Sequence, residues 1–205
     1  MEIDQIELIG GHPALDFVNT VEARGSEAPL NYLADFDSLA RWSLRAGLLP
    51  PAACKSALRQ AASDPQAASG AWRDAMALRD SLSAIFRAVA DGAPPPEPAT
   101  VQLNETLKKA FDRRQLAPTA AGAWRWSWQA DDQALASPAL EIALGAAALL
   151  TDESSLRRVR VCANGPCDWI FLDSSRNGKR RWCRMSVCGN VSKVRRFRQR
   201  LRAES

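Results

Sequence analysis

The sequence has few of the residues on which enzyme and membrane motifs depend. Its 205 residues include one histidine, and they contain no HExxH motif, phosphate-binding loop or dinucleotide-binding fingerprint. No apolar run approaches the ~20 residues that a membrane-spanning helix needs. The acidic first four residues lack the basic and apolar segments of a signal peptide. These absences predict a cytoplasmic protein that is not an enzyme and does not enter the membrane.

The composition is otherwise that of an ordinary globular protein. Hydrophobic residues make up 46% of the chain and charged residues 24%, which excludes collagen-like, disulfide-scaffold and wholly disordered chains. The length suits one domain, or one domain with a small appended module. No internal repeats or heptads stand out in the sequence.

Charge is distributed unevenly along the chain. Residues 1–155 contain 13 Lys and Arg against 20 Asp and Glu, a net charge of −7. Residues 156–205 contain 14 against 3, a net charge of +11, and no acidic residue lies between Arg176 and Arg202. This asymmetry indicates an acidic body with an appendage that binds a polyanion. The alternative is a basic tail that only improves solubility.

Four of the five cysteines lie within 27 residues, as two Cys-x4-Cys pairs separated by 15 residues. Cytosolic cysteines stay reduced, and Zn²⁺ prefers four soft ligands in a tetrahedron. Because four thiolates leave no position for water or substrate, we expect one structural Zn²⁺. The alternative is a set of unrelated buried or disulfide-forming cysteines. The candidate ligands are Cys162, Cys167, Cys183 and Cys188.

The segment between the two cysteine pairs is typical of a β-hairpin. Residues 168–173 favour a strand, Asn177-Gly178 is a turn dipeptide, and residues 180–182 are expected to form the returning strand. A knuckle, a hairpin and a helix carrying the second pair follow one another in a treble-clef zinc module. A module this small is expected to need the ion for its fold.

Basic residues of the C-terminal segment fall on two candidate surfaces, the turn of the hairpin and the helix that follows Cys188. That helix also has an apolar stripe, formed by Val187, Val191, Val194, Phe197 and Leu201. We expect the basic residues to contact nucleic-acid phosphates, although a solvated helix face is the alternative. The candidates are Arg176, Lys179, Arg180, Arg181, Lys193, Arg196 and Arg200.

The first 155 residues are predicted to be mainly helical, with a small β element. Apolar spacing and Pro or Gly breaks predict helices at 35–48, 52–62, 71–90, 100–114 and 138–150. Three alternating tryptophans at 124–128 predict a strand that pairs near Leu116. Since few basic residues lie nearby, we expect the tryptophan face to be core or a pocket wall, not a base-stacking platform.

A second group of polar residues lies near the N-terminus. A proline favours a helix start here, so Asp16, Asn19 and Thr20 fall on one face, with His12 at its beginning. Such a face is a candidate binding site for a small polar effector. Capping and local hydrogen bonding are the alternative. Arg79, which we expect at the surface, is a candidate partner for an anionic ligand.

Two stretches of the sequence resemble known bacterial families. Residues 11–20 (GHPALDFVNT) look like the opening motif of the ABATE domain, which is usually joined to a CGNR-type zinc finger. Val191 stands in place of the last residue of the Cys-Gly-Asn-Arg signature. The resemblance implies a DNA-binding, stress-induced transcription regulator. Residues 160–202 resemble the finger through Cys162-x4-Cys167, Phe171-x-Asp173-x-Ser175-Arg176, Arg180-Arg181-Trp182-Cys183-x-Met185 and Cys188-Gly189-Asn190.

The sequence therefore predicts an α+β protein in two parts. Residues 1–155 would form a mainly helical ABATE-like domain that senses a small molecule or mediates contacts. Residues 156–205 would form a basic, treble-clef-like zinc module that binds DNA. A short recognition helix usually gains specificity by dimerising, so a homodimer is also expected, although the sequence identifies no interface. The alternative function is an adaptor whose zinc finger binds a protein or RNA partner, without enzymatic activity.

Overall fold

The computed structural model describes residues 6–22, 24, 29–128 and 134–203, with side chains up to residue 201. Helices dominate this part of the chain, so the mainly helical α+β fold class is confirmed. The helices are α1 (Pro13–Val18), α2 (Phe36–Arg45), α3 (Pro51–Ser63), α4 (Pro65–Asp91), α5 (Glu97–Arg113), α6 (Ser137–Thr151), α7 (Glu153–Leu156) and α8 (Asn190–Ala203). The five helices predicted for the body are confirmed as α2 to α6.

Capping side chains begin two of the main helices, α2 and α4. Asp35 begins α2 in a capping box, in which its carboxylate accepts from the backbone N–H of Ser38 and the Ser38 hydroxyl accepts from the backbone N–H of Asp35. Asp64 caps α4 by accepting from the backbone N–H of Ala67. With Pro65 as its first residue, α4 starts six residues earlier than apolar spacing predicts.

The described strands form three small antiparallel pairs. β1 (Val21–Glu22) pairs with β2 (Leu30–Asn31), and β5 (Val159–Val161) pairs with β6 (Ile170–Leu172). β3 (Arg114–Pro118) pairs with β4 (Trp124–Trp128), with Leu116 opposite Trp126, as predicted. Small paired strands of this kind serve as local supports for a helical body.

The tryptophan face of β3 and β4 points into solvent. Trp124 is 69% exposed and Trp126 is 53% exposed. Trp128 is half-buried, and its indole N–H donates to the Glu141 carboxylate at 2.7 Å. Arg114 lies over the rings of Trp126 and Trp128. The expectation that this face forms core or a pocket wall is therefore wrong, because alternation shows which side chains share a face but not what covers it.

One hydrophobic core joins the helices to the segment that carries the clustered cysteines. Phe17 of α1 packs against Trp42 of α2 with their ring centroids 5.4 Å apart, and Phe86 of α4 is fully buried beside them in the same core. Val159 and Ile170, from β5 and β6, are buried in that core as well. This core contains residues from both sides of residue 155. The predicted domain boundary at that residue stays a prediction.

Helix α6 lies in an apolar segment that is longer than the sequence analysis predicts. Residues Ala134–Thr151 are long and apolar enough, by length and composition, to cross a membrane, so the expectation that no run approaches this length is wrong. Buried residues such as Leu140, Ile142 and Leu149 place this helix in the core instead. A core helix satisfies the same length and composition as a membrane span, so the segment is weak evidence for a membrane protein.

The hairpin predicted between the two cysteine pairs does not form, because its first strand pairs with a different segment. β6 pairs with β5, upstream of the first cysteine pair, so the Cys162–Cys167 knuckle lies in the connection between those two strands. Residues 180–182 are not a strand, although the backbone N–H of Ala163 donates to the Arg181 carbonyl at 2.8 Å. The residues around Ile170 favour a strand, but their types do not reveal which neighbouring segment pairs with it.

Candidate metal centre and basic surface

The four candidate cysteines come together at one point. Their sulfur atoms all lie within 4.8 Å of one another, and three of the four side chains are buried. The Sγ atoms of Cys167 and Cys183 are 3.5 Å apart, and those of Cys183 and Cys188 are 3.6 Å apart. Cys54, the fifth cysteine, is buried elsewhere, between α2 and α3, and its thiol donates to the Ala40 carbonyl. The geometry therefore separates the four clustered cysteines from the remaining one.

Backbone hydrogen bonds hold the two pairs in place. The N–H of Cys162 donates to the Trp169 carbonyl at 2.8 Å, which closes the knuckle, and the N–H of Cys167 donates to the Asn164 carbonyl at 2.7 Å. Cys183 reaches the first pair directly, since its N–H donates to the Cys162 sulfur at 3.5 Å. Cys188 lies in a π-helical turn, Met185–Gly189, that leads into α8.

The loop between the pairs is organised by a buried carboxylate. Asp173 is fully buried, and one of its oxygens accepts from the backbone N–H and the hydroxyl of Ser175. Its other oxygen accepts from the backbone N–H of Arg180 at 2.9 Å. The aspartate therefore fixes both ends of the loop that carries Arg176 and Lys179.

The sulfur geometry fits a tetrahedral metal ion. Four thiolates bound at about 2.3 Å around Zn²⁺ have an edge of about 3.8 Å between neighbouring sulfurs. The two sulfur–sulfur distances of 3.5 and 3.6 Å are close to this length. Hydrogen bonds that the Cys183 thiol donates to the neighbouring Cys162 and Cys167 sulfurs raise the pKa of Cys183 above its ordinary value. Sulfurs this close favour a cation between them.

The predicted basic residues divide into two groups. Most of the side chains are exposed, on the loop between the cysteine pairs and on α8: Arg176, Lys179, Arg181, Lys193, Arg196 and Arg200. Arg180 differs, because its guanidinium donates to the Trp182 and Cys183 carbonyls and lies 4.5 Å from the centre of the Phe171 ring. These contacts occupy Arg180 inside the module, a role that the sequence does not reveal.

The predicted effector residues have partners within the protein. His12 caps α1 by accepting from the Ala14 N–H at 3.2 Å. Asp16 accepts from the Gly10 N–H at 2.7 Å, and the Thr20 hydroxyl donates to the Phe17 carbonyl at 2.7 Å. Asp16, Asn19 and Thr20 are all buried. This arrangement favours the capping and hydrogen-bonding alternative, and effector binding by these residues stays a prediction.

Asn19 joins the body to the metal-binding segment. Its side-chain amide donates to the Ile170 carbonyl at 2.8 Å and accepts from the Ile170 N–H at 2.9 Å. The side chain thus binds the free edge of β6 as a neighbouring strand would. The backbone N–H of Leu172 donates to the Gly10 carbonyl, and Arg87 forms an ion pair with Asp168 at 3.2 Å.

Arg79 is buried, so its expected surface position is wrong. It is 5% exposed, and its guanidinium donates to the Thr20 hydroxyl at 3.1 Å and to the Asn31 side-chain oxygen at 2.8 Å. Burial and the charge of the nearby Arg24 together lower the pKa of Arg79 to about 10. The helical spacing of α4 places Arg79 on the covered face, but the polar partners that allow this burial lie far away in the sequence.

Burial also changes the titration of Asp16. Removal from water raises the pKa of Asp16 to about 6, against the opposing effects of the Gly10 N–H and the charge of Arg45. Gly10 has little room for a side chain, since an added Cβ would lie 3.0 Å from the Asp16 backbone nitrogen and Oδ1. The glycine therefore permits the close approach that holds this carboxyl group.

Two family models match the chain. The ABATE model, described as "Putative stress-induced transcription regulator", matches residues 11–153, and the CGNR zinc finger model matches residues 158–201. A comparison with curated proteins finds no match. The ABATE match spans more than half of the chain, which therefore belongs to the ABATE family and carries a CGNR zinc finger. The predicted resemblance is confirmed, and both families are regulatory or zinc-finger types and not enzyme families.

Proposed function

We propose that this protein is a cytoplasmic transcription regulator that binds duplex DNA through its zinc finger. The observation that carries the proposal is the exposure of basic side chains on two segments that adjoin the four-cysteine centre in sequence, the loop and α8. The six predicted residues Arg176, Lys179, Arg181, Lys193, Arg196 and Arg200 are all exposed, within a stretch that contains no acidic residue. Lys and Arg contacts to phosphates supply most of the affinity of such surfaces.

In this proposal the four cysteines hold one structural Zn²⁺. The ion would fix the knuckle to the π-helical turn, and a complete set of thiolates leaves it no reactive position. The basic loop lies between the two cysteine pairs and α8 follows the second pair, so their relative placement would depend on the metal. The protein's own contribution is the placement of the basic side chains, with Asp173 and Arg180 holding the intervening loop.

The body is proposed to influence DNA binding through its contacts with the finger. Asn19, Gly10 and Arg87 of the body each contact the segment 168–172. A small molecule that altered α1, which ends at Val18 immediately before Asn19, would act through Asn19 on the strand β6. This is the route by which we expect the N-terminal domain to transmit a signal.

A second candidate function is an adaptor that binds another protein. The observation that favours it is the exposed face of β3 and β4, since aromatic side chains with this exposure are typical of protein interfaces. This face lies on the body and not on the zinc finger. An adaptor would therefore lose partner binding on substitution of Trp124 and Trp126, while DNA binding would be unaffected.

The test is duplex-DNA binding by zinc-loaded protein and two sets of charge variants. Lys193→Ala, Arg196→Ala and Arg200→Ala together should lower affinity at least about tenfold and reduce the salt dependence. The matched control, Lys108→Ala with Lys109→Ala, removes exposed charges from α5 and should bind like the wild type. Equal affinity of both variants would contradict the assigned surface. Arg180 is excluded because its substitution would disturb the finger itself.

A further inference from the structure

The body contains a cavity that the predicted effector residues do not line. It lies between the start of α2 and the turn from α3 into α4, and its volume is about 320 Å³. Small-molecule sites begin at roughly this volume. Because the polar side chains of α1 and its C-terminal end have partners within the protein, this cavity is the better place for an effector. Its lining includes Asp35, Phe36, Asp37, Ala68, Ser69 and Trp72.

The lining combines two carboxylates with an aromatic ring. Trp72 is half-buried, and its indole N–H donates to the Leu33 carbonyl at 2.9 Å, so the ring surface is what the side chain offers to a ligand. Asp35 and Asp37 are exposed, and the described residues that line the cavity include no Lys, Arg or His. An indole ring with carboxylates beside it is the combination that attracts organic ammonium ions.

Two local charges oppose a cation at this cavity. Arg41 forms an ion pair with Asp37 at 2.6 Å, and the start of α2 has the partial positive charge of a helix N-terminus. The Asp35 carboxylate offsets part of that charge, since it caps α2 by accepting from the backbone N–H of Ser38. Water and salt also screen both exposed carboxylates. We therefore expect a weak site, with a dissociation constant on the order of 1 mM.

The wall of the cavity belongs to a hydrogen-bond network that extends into the body. The Leu33 carbonyl, which holds Trp72, also accepts from the side-chain amide of Asn31 at 3.1 Å. The Asn31 side-chain oxygen accepts from the Arg79 guanidinium at 2.8 Å. The same guanidinium donates to the Thr20 hydroxyl at 3.1 Å. These side chains, from Trp72 to Thr20, are called the Arg79 network below.

The Arg79 network ends beside the zinc finger. Thr20 directly follows Asn19 in the chain, and the side-chain amide of Asn19 exchanges two hydrogen bonds with the backbone of Ile170 in β6. Contiguous hydrogen bonds of this kind can carry energetic coupling between distant sites. The cavity is therefore connected to the strand that follows the first cysteine pair.

We propose that this cavity is the effector site of the body, that it takes a small organic ammonium ion, and that binding is transmitted to β6 through the Arg79 network. A cation against the ring restrains Trp72 and with it the bond to Leu33, the first bond of the network. The inference names the chemical class of the effector, and in that respect it rests on the proposed function. Its test requires no DNA, so its failure and a failure of DNA binding are distinguishable.

The first experiment is an NMR titration of the full-length, zinc-loaded, isotope-labelled protein with choline and with butylammonium. Both ions should shift the indole N–H signal of Trp72. Neohexanol, in which carbon replaces the nitrogen of choline, should bind about tenfold more weakly because it has no charge. Equal binding of choline and neohexanol, or no shift with either ammonium ion, would overturn the site.

Charge variants test the assigned carboxylates. Asp35→Asn together with Asp37→Asn removes both charges while an asparagine still caps α2, so the affinity for choline should fall at least about threefold. Asp91→Asn together with Asp112→Asn removes the same charge from exposed positions outside the lining, and this control should bind choline like the wild type. Equal affinities of the two double variants would contradict the assignment.

The second experiment follows the backbone N–H signal of Ile170 in the same titration. Ile170 does not line the cavity, so its signal reports transmission and should shift along the same binding curve as that of Trp72. Asn31→Ala interrupts the network and should abolish the shift of Ile170 while that of Trp72 remains. Asn104→Ala, on the exposed side of α5, is the matched control and should retain both shifts. A wild type in which Ile170 does not respond, or an Asn31→Ala variant in which it does, would overturn the proposed transmission.

Discussion

At the scale of single residues, buried polar groups define how the body of this protein is built. Asp16, Asn19, Thr20 and Arg79 are all buried, and each has a hydrogen-bond partner within the chain. Helical spacing places the first three on one face. It cannot show that the partner of Asn19 is the backbone of Ile170, which lies 151 residues away. In the structure α1 ends at Val18, so Asn19 and Thr20 lie beyond the helix, and their contacts depend on tertiary structure.

The titration of Asp16 makes a prediction about stability and pH. Because its pKa in the folded protein is about 6, above the ordinary 3.8, the folded state keeps a proton that the unfolded state loses between these values. The free energy of unfolding should therefore fall, by roughly 3 kcal/mol from this group, as pH rises from about 4 to about 6. Urea unfolding of the wild type and of Asp16→Asn across this range measures the difference.

The Asp16→Asn variant should lack this fall in the free energy of unfolding, so its stability relative to the wild type should increase as the pH rises. Asp91→Asn, which changes an exposed carboxylate at the end of α4, is the control and should leave the pH dependence unchanged. A constant difference between wild type and Asp16→Asn from pH 4 to pH 7 would contradict the raised pKa.

Asn19 gives a second prediction at this scale. Asn19→Ala leaves the N–H and the carbonyl of Ile170 buried without their partner, which should lower the free energy of unfolding by roughly 2–4 kcal/mol. Urea unfolding measures this loss, with Asn104→Ala on the exposed side of α5 as the matched control. A loss no greater than that of the control would show that the amide does not join the body to β6.

At the scale of elements, sequence patterns predicted the helices well and the strand pairings unevenly. The apolar spacing of the body gave α2 to α6, because each helix covers a core with one face. The β3–β4 pair was also predicted, since its strands are adjacent in sequence. The pairing of β6 with β5 was not, because the β-forming residues 168–173 have two candidate neighbours and the turn dipeptide Asn177-Gly178 favoured the wrong one.

Two adjacent arginines, Arg180 and Arg181, lie between β6 and the second cysteine pair. We expect them to differ in their effect on zinc retention. Arg180→Ala removes the donors that hold the Trp182 and Cys183 carbonyls, so the protein should lose zinc to a competing chelator at least about tenfold more readily. Arg181→Ala is the matched control, because Arg181 is exposed and lies over the Trp182 ring without bonding the ligand segment. Equal zinc retention in the two variants would contradict the role assigned to Arg180.

At the scale of the whole molecule, Val159 and Ile170 of the finger share the core of the body, while the four cysteines pack in a second cluster with Trp169 and Phe171. The sequence indicated two parts from charge and cysteine content, and the family matches meet near residue 155. Composition cannot reveal that Val159 and Ile170 pack among the helices, since burial across a boundary depends on the folded arrangement. Residues of the CGNR zinc finger, in the β5–β6 pair, thus complete the core of the ABATE domain.

A shared core predicts cooperative unfolding. The zinc-loaded protein should unfold in one calorimetric transition, and removal of zinc with a chelator should shift that whole transition to lower temperature. Two transitions, of which only the first responds to chelation, would show instead that the finger unfolds on its own and that the boundary near residue 155 separates independent domains.

The central claim is that the zinc finger binds DNA through its basic surface, and its most direct test is the salt dependence of duplex binding. Fluorescence anisotropy of a labelled duplex should show tight binding by zinc-loaded protein at about 50 mM salt and at least a hundredfold loss at about 200 mM, since several phosphate contacts release counterions. Chelation should abolish the binding. No binding at about 50 mM salt, or binding that salt does not weaken, would contradict the claim.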